Sequence, residues 1–301
     1  RYILHYTQPG DIVFDGFCGT GMTGVAARLC GDHTEVSALG YQVKSDGTIL
    51  QEEVDENGKK VWRPFSKLGA RKAILNDLSP AATYISSSYN TPADAESLKS
   101  SIYKVIDTVE EKWGWMFETT HKNGKKGKIN SVIWSDVFVC PECSADIVFW
   151  ENAVDIENGK VLDEFECSQC GANLTKRNIE RRWTTSYDPL IGKSVTQAKQ
   201  VPVRINYVFG GKKFDKKASK EDLELFDNIA GYEHNIEHPI TEIIDGDKTG
   251  EALRIGFTHV HHLYSTRNYI ALSEFKTLCK DSRLWIPLTI VAFRITKRYG
   301  L

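Results

Sequence analysis

The chain has 301 residues, 41% hydrophobic and 26% charged, enough to bury one large core or two modest ones and too apolar for a disordered polymer. Lys plus Arg at 38 against Asp plus Glu at 40 gives a formal charge of -2, which excludes a global basic field and leaves nucleic-acid contact to local patches. No apolar run approaches the roughly 20 residues that cross a bilayer, and no secretory or transit pattern opens the chain, so a cytoplasmic protein with no membrane partner is expected.

Ile12, Val13 and Phe14 form a short continuous apolar run, the pattern of a strand buried on both faces of a parallel sheet. Gly16, Gly19, Gly21 and Gly24 follow, while Met22, Val25, Ala26 and Leu29 recur at helical spacing up to about Gly31. A strand that runs through a glycine turn into a helix leaves unpaired backbone N–H groups at the carboxyl edge of a sheet, where small anionic or nucleoside ligands bind. The glycines let ligand atoms approach the backbone, and Asp15 is placed to accept from an ammonium or hydroxyl. The turn lacks the Lys-Ser/Thr of a phosphate-binding loop. Gly19 to Gly24 matches G-x-G-x-x-G, but Asp15 and Phe17 before it depart from the dinucleotide pattern.

From about Leu39 to Lys67 the Asp46-Gly47 and Asn57-Gly58 pairs predict an insertion of hairpins. A strand at Lys72 to Leu75 follows, then a helix capped by Ser79 with Pro80 in its first turn. Leu98, Ile102, Val105, Ile106, Val109, Trp113 and Met116 keep helical spacing over Asp94 to Phe117, and the basic loop HKNGKKGK ends that helix. Strand-like text runs to about Cys170, followed by a poorly periodic region. Ser219 and Asp222 predict a capped helix, and two helices separated near Lys280 to Arg283 end the chain. The opening at Arg1 and the unpunctuated apolar end before Gly300 predict a fragment of a longer protein.

Cys140 and Cys143 in CPEC, with Cys167 and Cys170 in CSQC, form two C-x-x-C knuckles whose thiolates can close a tetrahedron around zinc. Four cysteines leave no open position, so the metal is structural; a disulfide pair does not suit a cytosolic chain. The text between the knuckles reads as a hairpin centred on Asn158-Gly159. Such a ribbon touches nucleic acid or a partner protein, or only staples a small subdomain. Nearby Lys122, Lys125, Lys126, Lys128, Lys176, Arg177, Arg181 and Arg182 fit phosphate contact or a solvated charged face.

The segment DGFCGTG, preceded by TQPGDIVF and followed by MTGVAA, resembles the S-adenosylmethionine-binding motif of the amino-group-specific DNA methyltransferases. The resemblance implies that Asp15 meets the methionine end of the cofactor while the turn of Phe17, Cys18, Gly19, Thr20 and Gly21 surrounds it. GARKAILNDLSPAA resembles the family's second motif, which makes Asp77 the acid for the ribose hydroxyls and sets Leu78 beside the adenine. Asp77 lies further on than a compact unit requires, which the insertion accounts for; Glu35, the rival acid, precedes no strand-to-helix junction. The family's acid-Pro-Pro-aromatic catalytic loop is absent. YDPL at Tyr187 to Leu190 is a partial echo that reads as a surface turn, so no catalytic residue is assigned and that loop is expected beyond Leu301. His259, His261 and His262 have no carboxylate near them in sequence and read as a packed or hydrogen-bonded set. Thr266 is a candidate cap, and Arg267 and Asn268 are candidates for phosphate contact or for structure.

The expectation is therefore an α/β protein. An incomplete Rossmann-like methyltransferase core with a hairpin insertion spans 1–135 with the insertion at about 39–67, a four-cysteine zinc ribbon spans 136–182, and a mixed recognition or linker region ending in additional helices spans 183–301. The implied function is a site-specific DNA methyltransferase of a restriction-modification or defence system, acting on the exocyclic amine of adenine, or less favourably cytosine. Its implied partners are DNA and a restriction or specificity subunit. An RNA methyltransferase, or a non-catalytic zinc-ribbon module that binds nucleic acid, is the alternative.

Overall fold

Residues 1–156, 158–232, 240–279 and 284–297 are described by the structure, a computed structural model. Helix and strand are mixed in it, as expected, and the chain divides into two units, Arg1–Lys99 and Ser100–Leu301.

The first unit runs α1 (Tyr2–Tyr6), β1 (Ile12–Asp15), α2 (Met22–Leu29), α3 (His33–Ala38), β2 (Gln42–Val43), β3 (Thr48–Val54), β4 (Lys60–Lys67), β5 (Lys72–Leu75) and α4 (Pro80–Asn90). β1 and β5 pair in parallel with Asp15 opposite Leu75, so both strands end at the same edge. Between them β2, β3 and β4 form an antiparallel sheet whose turns use Gly47 and Gly58 in the left-handed region, as Asp-Gly and Asn-Gly pairs favour. Ile49 of that sheet packs with Leu4, Cys30 and Val36. Buried Arg71 donates to the carbonyls of Thr7, Lys67 and Gly69, which ties the exit of β4 to the start of β5. Ser79 caps α4 by accepting from the Ala82 amide, and Pro80 occupies the first turn.

The two-sided burial expected of the first strand is not what forms. Among the described residues β1 and β5 pair only with each other, and alternate side chains point outward, leaving Ile12, Phe14 and Ile74 exposed. A continuous apolar run specifies a strand; whether both faces are covered depends on neighbours that lie elsewhere in sequence.

α5 (Ala95–Trp113) and a short turn of helix at Gly114–Phe117 lead into the second unit. It continues through β6 (Glu118–Thr120), β7 (Lys126–Val139), β8 (Asp146–Val148), α6 (Phe149–Ala153), β9 (Val154–Asp155), β10 (Lys160–Val161), β11 (Glu164–Glu166), β12 (Asn173–Thr175) and β13 (Glu180–Arg181). Then come β14 (Trp183–Asp188), β15 (Lys193–Ala198), β16 (Gln200–Phe209), β17 (Lys212–Lys217), α7 (Lys220–Ala230), α8 (Gly250–Arg254), α9 (Thr266–Leu278) and α10 (Trp285–Arg294). The long β7 organises a curled sheet: β16 then β17 lie on one side, and β6, β8 and β13 pair along its length. Two register shifts in β16, at Pro202/Arg204 and Asn206/Tyr207, bend it. Ile129, Ile205 and Tyr207 are buried on the sheet beneath Phe226 of α7, which starts with the expected capping box of Ser219 and Asp222.

Two sequence expectations change here. The first arm of the hairpin about Asn158-Gly159 is shorter than expected: Phe149–Ala153 forms α6, which sets the Phe149 ring 5.5 Å from Phe138 and 5.9 Å from Phe165 in the cysteine-bearing core. The hairpin is the shorter β9–β10. The poorly periodic region instead holds β14 to β17. β14 is polar and largely exposed, so it carries no apolar alternation to read, while the Gly210-Gly211 turn between β16 and β17 puts both glycines at positive φ. The break expected near Lys280 to Arg283 lies outside the described residues.

Candidate functional site

At the end of β1 the Asp15 carboxylate braces the glycine turn: Oδ1 accepts from the Phe17 amide (3.2 Å) and Oδ2 from the Thr23 hydroxyl (2.6 Å). A carboxylate has about four lone-pair positions, so acceptor capacity is left for a ligand. Asp77, just past the end of β5, reaches the same turn. Its Oδ2 accepts from the Gly19 amide (2.9 Å) and its Oδ1 from the Ser79 amide (2.9 Å). These two donors, Ser79 first, hold its carboxyl below the ordinary range. The parallel pairing thus brings Asp15 and Asp77 to one turn from 62 positions apart in the numbering. Glu35 instead lies inside α3, its amide donating to Asp32. Phe17 and Leu78 are among the most exposed apolar side chains, at 80% and 85%, one on each side of the Gly19–Asp77 contact in sequence. Thr20 is exposed, whereas Cys18 is buried with its thiol toward Ser86, so Cys18 offers the turn its backbone alone.

The glycines separate into two kinds. A Cβ on Gly19 would meet nothing, and its φ of 52° is a left-handed conformation that glycine supplies without strain. A Cβ on Gly21 would run into Ser86 and lie 2.8 Å from Asn90 Nδ2, and one on Gly24 would come within 2.7 Å of Leu75. Gly21 and Gly24 therefore serve the packing of α2 on α4 and β5, a correction to the view that all four glycines clear space for ligand. Gly24→Ala is expected to destabilise the protein by about 2 kcal/mol through overpacking; an unchanged midpoint in urea denaturation would contradict this.

The four predicted metal ligands converge. Sγ of Cys140 lies 3.8 Å from that of Cys170, and Sγ of Cys143 lies 3.8 Å from that of Cys167. A tetrahedron with zinc–sulfur bonds of about 2.3 Å has edges of about 3.8 Å, and a disulfide would need about 2.05 Å. The knuckles are near-copies. In each the first cysteine's carbonyl accepts from the residue after the second cysteine, Ser144 or Gly171, and both of those residues have positive φ. Backbone N–H groups of Gln169 and Cys170 lower the Cys167 thiol to about 7, while the thiols crowded around Cys170 push it up to about 12 and Cys143 is raised as well, so the four do not all ionise without a cation among them. The donor set and its spacing fit zinc. Of the neighbouring basic residues, Arg181 is paired with Asp136, and Arg182 with Asp146, so neither is an uncommitted phosphate ligand.

The histidines do have a carboxylate, and YDPL supplies it: Pro189 and Leu190 open the expected turn, between β14 and β15, with Tyr187 exposed, while Asp188 alone is buried. Asp188, at the end of β14, is buried, and its Oδ2 accepts from Nε2 of both His261 (2.7 Å) and His262 (2.8 Å), while its Oδ1 accepts from the Leu190 amide. Nδ1 of His262 accepts from the amides of Thr258 (3.2 Å) and His259 (3.4 Å), which places the ring proton on Nε2. With both nitrogens committed, His262 has no lone pair for a metal, and the trio is a hydrogen-bonded node. Burial opposes the charge on Asp188, but the histidine and backbone donors outweigh it and hold the carboxyl below its ordinary range; burial also lowers His262. The carboxylate lies 73 residues before His261, beyond any local pattern.

Arg267 and Asn268 prove structural. The Arg267 guanidinium is buried between the rings of Phe117 (5.1 Å) and Phe226 (4.9 Å), and Asn268 donates to the Ile295 carbonyl (2.9 Å). Ser265, not Thr266, is the N-cap of α9.

The parallel strand pair thus brings two acids to one glycine turn at its carboxyl ends, the edge at which open α/β sheets bind ligands. Residues 1–50 match the family of N6/N4 methylases described as DNA methylase, a span that includes Asp15 and the whole glycine turn. Over that span the chain is similar to DNA methyltransferases. No curated protein and no solved structure matches it.

Proposed function

We propose that the chain is the cofactor-binding and recognition portion of an S-adenosylmethionine-dependent DNA methyltransferase, built on a Rossmann-like core to which β1, α2, β5 and α4 contribute. The observation that carries the reading is the meeting of Asp77 with the Gly19 amide at the turn that the DNA methylase family matches. In this reading Asp15 receives the cofactor's ammonium, and the backbone from Phe17 through Gly21 wraps the methionine. Asp77 exchanges the Gly19 amide for the ribose hydroxyls, and Leu78 lies along the adenine. When bound, the cofactor would supply an electrophilic methyl group for the exocyclic amine of adenine, or less favourably cytosine. Zinc held by Cys140, Cys143, Cys167 and Cys170 has a structural part. A restriction-modification setting, with a specificity subunit as partner, accompanies this reading.

Calorimetric titration of S-adenosylmethionine into the full chain tests it. Binding is expected, and Asp15→Ala and Asp77→Ala are each expected to weaken it by about tenfold or more, the worth of a charge-assisted hydrogen bond. No heat of binding, or an affinity indifferent to both substitutions, sinks the reading.

A further inference from the structure

The second unit carries a basic edge used neither by the glycine turn nor by the cysteines. β6, β7, β16 and β17 lie side by side in that order, with Thr120 paired to Lys126, Lys128 to Val208 and Phe209 to Lys212. This register sets the β6–β7 turn, 121–125, beside the Gly210-Gly211 turn, although some 90 residues separate them in the numbering. Lys122, Lys125, Lys126, Lys212 and Lys213 are exposed there. Several nearby carboxylates are already taken, Glu110 by Lys128, Asp215 by Arg204, Asp222 by Lys216 and Glu151 by Lys217, while Glu118 stands opposite Lys128 on β6. Five exposed lysines against that one acid leave a net positive edge on a chain whose net charge is -2.

An aromatic floor fixes the two turns relative to each other. His121 stacks on Phe209 with ring centroids 4.3 Å apart, its Nδ1 lies 2.8 Å from the Tyr207 hydroxyl, and Phe214 is 4.7 Å away. The apices are Asn123, Gly124, Gly210 and Gly211, and neither hairpin end has a large exposed apolar side chain among the described residues. A membrane-seated edge carries such anchors. Flexible ammonium groups on a rigid base fit a backbone of regularly spaced phosphates, which they contact without reading sequence.

We propose that this lysine edge takes the phosphate backbone of duplex DNA. The choice of duplex DNA as the polyanion rests on the methyltransferase reading; the edge itself does not.

The test is fluorescence anisotropy of a labelled mixed-sequence duplex with the full chain, without cofactor, between about 50 and 200 mM salt. Replacing the five lysines with alanine is expected to weaken binding at least about tenfold and to flatten the slope of log affinity against log salt by roughly 0.9 per lost phosphate contact. The five-arginine version is expected to bind like the parent. A charge-matched control with Lys44, Lys59, Lys99, Lys104 and Lys276 replaced by alanine is expected to do the same. Unchanged binding in the alanine variant, or an equal loss in the control, overturns the proposal. Tighter lysine-dependent binding of single-stranded RNA or of anionic lipid vesicles overturns the choice of duplex DNA. Because this assay needs no cofactor, lysine-dependent DNA binding with no cofactor heat leaves the edge standing and fails the methyltransferase reading. Cofactor heat with lysine-independent DNA binding does the reverse.

Discussion

Cys140→Ser is expected to abolish metal binding and to unfold the region around the knuckles. Structural zinc contributes about 10–16 kcal/mol in small ligand sets, against a whole-domain stability of about 5–15 kcal/mol. The apolar cluster around the cysteines, chiefly Phe138, Ile147, Phe165 and Leu174, is small, and two of its buried members are the ligands Cys140 and Cys167 themselves. Removing the metal therefore removes the centre of that core and leaves thiolates repelling one another. Elemental analysis should find one zinc per parent chain and none in the variant, and hydrogen exchange over residues 140–180 should accelerate when a strong chelator is added. A parent chain purified without zinc, whose exchange ignores the chelator, would reduce the four cysteines to free thiols.

Asp188→Ala is expected to destabilise the second unit by about 3 kcal/mol, because each stranded buried donor costs roughly 1–3 kcal/mol and two imidazole N–H groups lose their acceptor together. Asp188→Asn keeps one acceptor oxygen and should cost less. The same node sets a pH dependence. The unfolded chain binds the His262 proton more readily, so stability is full above the ordinary 6.5 and falls as pH drops through that value toward the lower folded one. A second loss begins below the ordinary 3.8 of an aspartate and is complete once pH falls through the lower folded value of Asp188. Denaturant titrations across this range should show both steps in the parent and a smaller acid one in Asp188→Ala, where Asp146 and Asp222, also held below their ordinary range, still contribute. A flat profile in the parent between pH 7 and pH 5 would contradict the assignment of His262 as a buried neutral donor.

What the sequence reveals about the site divides by distance along the chain. The glycine turn, the two knuckles and the acid after the second strand are legible because each is a local pattern whose spacing already implies its geometry. Asp188 is not, since a carboxylate that meets its histidines across 73 residues has no local signature and its YDPL setting looks like a turn. Gly21 and Gly24 resemble Gly19 in sequence, yet a glycine spared for a neighbouring helix and one left open differ only in what stands opposite. Polar β14 escapes detection because strand reading depends on apolar alternation. The adjacency of Lys122 and Lys212 follows from strand register alone, which no single segment encodes.

β7 has a consequence for scale. It is one unbroken strand of 14 residues that starts in the lysine edge at Lys126 and stops at Val139, next to Cys140. At roughly 3.3 Å per residue it measures about 43 Å along the chain, longer than the 34–36 Å of one turn of duplex DNA. The strand is therefore a ruler. The lysines and the cysteine knuckles sit at opposite ends of one strand, with no linker between them to be ordered first.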